Sequence, residues 1–180
     1  LGDWHMTWIQ TISGGKLDFQ SPDPADIHLT DIATVLSRIP RFAGHTVDVY
    51  TVAQHSLLVS QNLPPEWQLA GLLHDAHEAY VGDLPSPLKR FCPGYKLIED
   101  RVQRAFEEKF GLPAMSLRVG PVRQMDLVVL ATEKRDLLLP EPEQWDPLPE
   151  PLAEKIYANG NSVDLAKDFV YVAQHLMKGI

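Results

Sequence analysis

Apolar residues in this chain recur mostly three and four positions apart, the period of an α-helix, and breakers divide them into helix-length blocks. Ile32, Val35, Leu36 and Ile39 form the first block, with Thr30-Asp31 as its capping pair and Pro40 as its end. Arg41 to Tyr50 reads as a loop. Thr51 can cap a second helix, in which Val52, His55, Leu58 and Val59 share one face, and Pro64-Pro65 ends it and starts a third. The third is strongly apolar (Trp67, Leu69, Leu72, Leu73, Ala76, Ala79) and is expected to run on to Gly82, with Asp83-Leu84-Pro85-Ser86-Pro87 as a loop. Tyr95 to Phe110 predicts a long amphipathic helix closed by Gly111, and Val122 to Leu139 predicts another. Pro140 to Pro151 contains five prolines and reads as a loop or extended arm. Ser162 can cap a last helix through Leu165, Phe169, Val170, Val172 and Leu176. Near the start, Trp8, Ile9 and Ile12, then Ser13-Gly14-Gly15, then Leu17 and Phe19 suggest a short hairpin. Five or more helices with short links and little strand signal predict an all-α bundle.

The 180 residues suit one such domain. It is expected over 30–139, preceded by an N-terminal segment 1–29. The proline-rich arm and C-terminal helix, 140–180, would pack on the same domain. Leu1 to His5 read as a cloning remnant ahead of a native start at Met6. The net charge of -8 argues against a wide nucleic-acid surface, which needs clustered Lys and Arg, yet leaves room for a small phosphorylated substrate. Cys92 is the single cysteine, so neither an intrachain disulfide nor a cysteine-based zinc site can form. A reducing compartment, the cytoplasm, is the expectation. No apolar run approaches the roughly 18–20 residues that cross a bilayer, and no secretory signal pattern is present.

The chemistry concentrates in Leu72-Leu73-His74-Asp75-Ala76-His77-Glu78-Ala79-Tyr80, where an apolar segment suddenly carries four polar groups in five residues. Burying such groups is costly unless each finds a partner. On a continuous helix, His74 and Glu78 are four apart and Asp75 and Glu78 three apart, so they would share a face. His55 and Asp126 interrupt apolar faces in the same way: His55 lies with Val52, Leu58 and Val59, and Asp126 with Val122, Val129 and Leu130. An inward Asp needs a cation beside it. Each residue alone has a plain structural explanation, as a hydrogen-bonded core histidine, a cap or an ion-pair partner. Together His55, His74, Asp75 and Asp126 offer two imidazoles and two carboxylates from three helices. That donor set suits manganese, iron, cobalt, nickel or zinc better than magnesium or calcium. His77 is expected at the surface or behind the ligands.

These residues, in this order, resemble the HD-domain phosphohydrolases, a family of helical-bundle enzymes. The stretch from His74-Asp75 through Glu78 to Gly82-Asp83-Leu84-Pro85-Ser86-Pro87-Leu88-Lys89 is similar to the His-Asp-Ala-Ser-Glu … Gly-Asp-Leu-Pro-Thr-Pro-Val-Lys signature of bacterial 5′-deoxynucleotidases. Ala53-Gln54-His55-Ser56-Leu57 matches the motif around that group's first ligand, and Arg38-Ile39-Pro40 resembles its Arg-Trp-Pro. The likeness covers about Ile32 to Leu138 and extends to phage-type deoxyadenosine triphosphate triphosphohydrolases. His77 stands where the family has a small residue, Ile39 where it has tryptophan, and the link between His55 and His74 is short.

The resemblance implies one divalent ion on His55, His74, Asp75 and Asp126, with Glu78 and Asp83 orienting or deprotonating the attacking water and assisting the leaving oxygen. It implies substrate contacts from Arg38, Ile39 and Lys89, and His45 on the loop is a further candidate. A polyphosphate substrate would bring a second divalent ion. The expected activity is that of a 5′-deoxynucleotidase releasing phosphate from a nucleoside monophosphate. The alternatives are a deoxynucleoside triphosphate triphosphohydrolase and, in another class, a non-catalytic, metal-containing nucleotide-binding module. A homo-oligomer with a small nucleotide as its ligand, and no polymer or membrane partner, completes the expectation.

Overall fold

Gly14, with φ of 88°, lets the chain reverse after Ser13, and the strands on either side pair antiparallel: β1 (Trp8–Gln10) against β2 (Lys16–Asp18), with Ile9 opposite Leu17. This computed structural model describes residues 6–158 and 161–179, so the expected cloning remnant Leu1 to His5 lies outside the described residues. Leu17 is fully buried, and Ser13 Oγ donates to Asp31 Oδ2 at 2.7 Å, so the hairpin is tied to the first helix.

That helix, α1 (Leu29–Leu36), starts earlier than expected: His28 is its N-cap, and Thr30 and Asp31 lie inside the first turn, where an acidic side chain favours the helix dipole. It also stops three residues before Ile39. Pro40 disfavours helical backbone at the residue before it, and Pro40 instead bridges Thr51. Next, α2 (Val52–Gln61) carries the expected Thr51 cap as a full capping box with Gln54.

The block read as one helix from Pro65 to Gly82 is two. The first, α3 (Pro65–Leu73), ends at His74, and α4 (Glu78–Val81) follows after a tight turn. Side chains capture the carbonyls that a continuing helix would use. The His74 ring Nδ1–H donates to Gly71 O at 2.7 Å, and Gln103 Nε2 donates to His74 O at 3.0 Å. The turn is bonded at three-residue spacing, from Ala76 N–H to Leu73 O and from Glu78 N–H to Asp75 O, both at 3.0 Å. The loop expected over Asp83 to Pro87 is shorter, because Ser86 opens a one-turn helix, α5 (Ser86–Lys89), with Pro87 in its first turn.

The two long helices are α6 (Pro93–Lys109) and α7 (Gly120–Leu137), each displaced about two residues towards the N-terminus of its expected span. The proline-rich arm has no regular structure and lies along α7. Leu152 N–H donates to Thr132 Oγ1, and Ile156 N–H to Asp136 Oδ2, both at 2.9 Å. The last helix, α8 (Ser162–Lys178), is capped by Asn161, whose Oδ1 accepts from Val163 N–H, rather than by Ser162.

The described chain is therefore mostly helical, with one short hairpin. Helices α2, α3 and α7 pack on one another, and α8 crosses α1, α2 and α3. Val52, Val59, Leu72, Leu73, Val129 and Phe169, on these helices, are fully buried, as is Phe106 of α6. Among the described residues no helix is long and apolar enough to cross a membrane.

Candidate metal centre

Three elements meet around one point: the middle of α2 brings His55, the turn after α3 brings His74 and Asp75, and the first half of α7 brings Asp126. His55 Nε2 lies 3.2 Å from His74 Nε2, 3.6 Å from Asp75 Oδ2 and 3.4 Å from Asp126 Oδ1. His74 Nε2 lies 3.1 Å from Asp75 Oδ2 and 4.0 Å from Asp126 Oδ1. The four residues predicted as ligands thus converge from three helical segments, although His74 and Asp75 do so from a turn and not from a helix face.

The hydrogen bonds on the far sides of the rings fix what faces inward. His55 Nδ1–H donates to Glu133 Oε1 at 2.7 Å, and His74 Nδ1–H donates to the Gly71 carbonyl. Both Nε2 atoms are therefore left to point at each other, as acceptors when the rings are neutral. Two lone pairs 3.2 Å apart repel unless a proton or a cation lies between them. Donors bonded to one first-row ion at about 2.1 Å lie roughly 3 Å apart at right angles and roughly 3.4 Å apart in a tetrahedron. The separations of 3.1, 3.2 and 3.4 Å fall in that range, while 3.6 Å from His55 to Asp75 and 4.0 Å from His74 to Asp126 exceed it. His55, His74 and Asp75 are grouped tightly enough to hold a metal ion as a trio, and Asp126, 3.4 Å from His55 but 4.0 Å from His74, stands beside it.

The electrostatics point the same way. Burial opposes the Asp75 carboxylate, but His74, His55 and Arg41 outweigh it and hold it well below its usual range. Burial likewise opposes Asp126, which the His55 hydrogen bond and the His74 charge bring down to about 2. Burial and the Arg41 charge work against protonated His55, yet Glu133 and Asp126 raise it to about 9. The cluster thus attracts positive charge strongly.

Glu78 is buried beside this cluster. Burial raises its carboxyl well above the usual range, and the charges of Asp75 and Asp83 add to this. One of its oxygens, Oε2, has no hydrogen-bond partner. Asp83 is raised as well, by burial and by Asp75, against the pull of Arg41 and Lys89. The predicted pair therefore lies within electrostatic range of Asp75 and of each other.

The other predicted residues divide. Lys89 lines a cleft of about 340 Å³ with His74, Asp75 and Asp126, and its Nζ donates to Glu99 Oε1 at 2.7 Å. Of the two places expected for His77, the surface is excluded: it is buried and lines the same cleft as His74 and Asp75, where Nε2 pairs with Glu99 Oε1 at 3.2 Å. Arg38 is exposed and lines a different groove, between α1 and α8. Ile39 packs against the apolar core, and His45 is exposed at the end of the Arg41–Gly44 turn.

In place of Arg38, Arg41 reaches the centre. Its Nη2 donates to Glu133 Oε2 at 3.0 Å, and its Nη1 lies 3.6 Å from Asp75 Oδ2. Arg41, Glu133, Glu99 and Gln103 were not singled out from sequence. A signal existed for Glu133, which follows Asp126 by seven residues and so falls on the same face of α7 two turns on. None existed for Arg41, which sits in an irregular loop.

No family model matches the chain. It is 42% identical over 166 residues to the uncharacterized protein YfdR of Escherichia coli strain K12, a match spanning 92% of this chain and 90% of that protein. It is also 40% identical over 118 residues to an uncharacterized protein of Rhodobacter capsulatus, 60% of each chain. With that identity over nearly its whole length, the chain belongs to the family of Escherichia coli YfdR.

Proposed function

We propose that this protein is a metal-dependent phosphohydrolase of the HD type that acts on a deoxynucleotide, first of all as a 5′-deoxynucleotidase. The observation that carries the reading is the pair of histidine Nε2 atoms, 3.2 Å apart, with both Nδ1–H groups committed elsewhere and two carboxylates beside them. When bound there, a divalent ion supplies Lewis acidity towards a phosphate oxygen and towards water. Glu78, kept above the normal carboxyl range by burial and by Asp75, is the proton donor suited to the leaving oxygen. Asp83, within electrostatic range of Asp75 and Glu78, would orient the attacking water. Lys89, steadied by Glu99, supplies positive charge at the mouth of the cleft, where positioning and electrostatics carry most of a phosphoryl transfer.

A second reading, a triphosphohydrolase, is favoured by the cleft's rim. Lys89, Lys96, Arg118 and Arg123 all line it in a protein of net charge -8, which suits a longer phosphate chain. The test is a screen of nucleoside mono- and triphosphates with manganese, cobalt, zinc and magnesium, scoring phosphate against triphosphate release. Phosphate release from deoxynucleoside monophosphates that depends on added ion supports the first reading, and triphosphate release supports the second. Ion-loaded protein that turns over neither would remove both.

A further inference from the structure

A buried arginine stands behind the candidate centre, and neither the ligand set nor the proposed proton transfers use it. Arg41 is 11% exposed in its side chain, and its guanidinium reaches carboxylates on two sides of the cluster. On one side Nη2 donates to Glu133 Oε2 at 3.0 Å, and the other oxygen of Glu133 accepts from His55 Nδ1–H at 2.7 Å. On the other side Nη1 lies 3.6 Å from Asp75 Oδ2. Glu133 is fully buried, so these two contacts fix its carboxylate plane, and that plane in turn fixes the His55 ring.

The backbone that delivers Arg41 is strained. Phe42 and Ala43 have φ of 54° and 51°, and Gly44 has 83°. Side chains avoid this left-handed region, so two successive non-glycine residues there are held by their surroundings. Arg41 N–H donates to Tyr50 O at 2.9 Å, and Val52 N–H to Ile39 O at 3.0 Å, which clamp the loop to the start of α2. Strain kept next to a buried charge is what a fold retains when the place of that charge matters.

We propose that Arg41 is a positioning residue that sets the affinity of the centre for its ion, acting through Glu133 on His55 and directly on Asp75. Lysine could keep the charge but not the fork that spans both carboxylates. The inference rests on the metal-centre reading and adds to it a control point outside the ligands.

The test is titration of Co²⁺ into the full-length protein after exhaustive dialysis against chelator. Affinity is read by calorimetry and ligand geometry by the visible absorption of the bound ion, for wild type, R41M, R41K, E133Q and R41M/E133Q. Circular dichroism checks the fold. Loss of a partner behind a metal-bound histidine typically weakens binding about 10–100-fold. R41M and E133Q should each show a loss of that order with an altered spectrum, and the double variant should be little worse than R41M, because removing Arg41 already removes the route through Glu133. If R41M does not fold, R41K carries the test, with weakened binding expected. Unchanged affinity and spectrum in R41M or R41K, or independent additive losses in the double variant, would overturn the role of Arg41 alone. A wild-type protein that binds no Co²⁺ would overturn the centre itself.

Discussion

Three groups face Asp75 Oδ2: His74 at 3.1 Å, His55 at 3.6 Å and Arg41 at 3.6 Å. Asp75→Asn keeps the shape and removes the charge. Turnover of any nucleotide substrate should fall to background while the circular dichroism spectrum stays native; near-normal activity would count against the mechanism. Glu99 offers a test by pH. Burial opposes its charge, but the hydrogen bonds from His77 and Lys89 outweigh it and hold Glu99 at about 2, below its usual 4.5. A carboxylate depressed in the folded state contributes stability that is present above its unfolded pKa and lost as the pH falls towards the folded one. Wild type should therefore lose stability between about pH 4.5 and 2, and Glu99→Gln should lose less over that window in acid-unfolding curves. At this scale the candidate ligands were legible in the sequence because each interrupts an apolar pattern. Arg41 was not, because its place depends on a loop whose left-handed residues, Phe42 and Ala43, carry no sequence signal for that conformation.

Among the elements, α3 packs tightly on the end of α2 at Gly71. A Cβ there would collide with Leu63 Cδ1 and sit 3.5 Å from Val59 Cγ1. Gly71→Ala should cost about 1–3 kcal/mol in denaturant unfolding, the range for overpacking, with Leu63 yielding part of the strain. A stability equal to wild type would mean that the helices separate more readily than their packing suggests. The longer helices were readable from apolar spacing, whereas the one-turn α5 lies where a loop was expected. The break after Leu73 was not readable, because Leu72 to Ala79 keeps helical periodicity while Gln103, nearly thirty residues away, takes the His74 carbonyl. The correction matters for the site: Glu78 reaches the cluster through a turn bonded at three-residue spacing, not across one helical face. The caps fall at His28, which makes no side-chain cap bond, and at Asn161, whose Oδ1 accepts from Val163 N–H, rather than at the expected Thr30-Asp31 and Ser162.

For the molecule as a whole, α2, the turn after α3, and α7 share a core, so the ligands come from segments joined mainly by packing. An ion bound to that junction binds the folded state alone and should stabilise it by mass action, about 2.7 kcal/mol at a free concentration one hundred times its dissociation constant. Chelator should accordingly lower the melting temperature, and added manganese or cobalt should restore it. A melting curve that ignores both would place the ion, if any, away from the junction. The bundle and its hairpin followed from the sequence pattern, whereas the lie of the proline-rich arm along α7 followed from Thr132, Arg135 and Asp136, polar residues whose partners are backbone groups some twenty positions later.

The convergence of four side chains on one ion is tested most directly by an anomalous difference map from a crystal grown with manganese or cobalt. A single strong peak should lie about 2.0–2.3 Å from His55 Nε2, His74 Nε2 and one carboxylate oxygen each of Asp75 and Asp126. A well-ordered map with no peak among those four groups, or with the groups turned away from one another, would contradict the account.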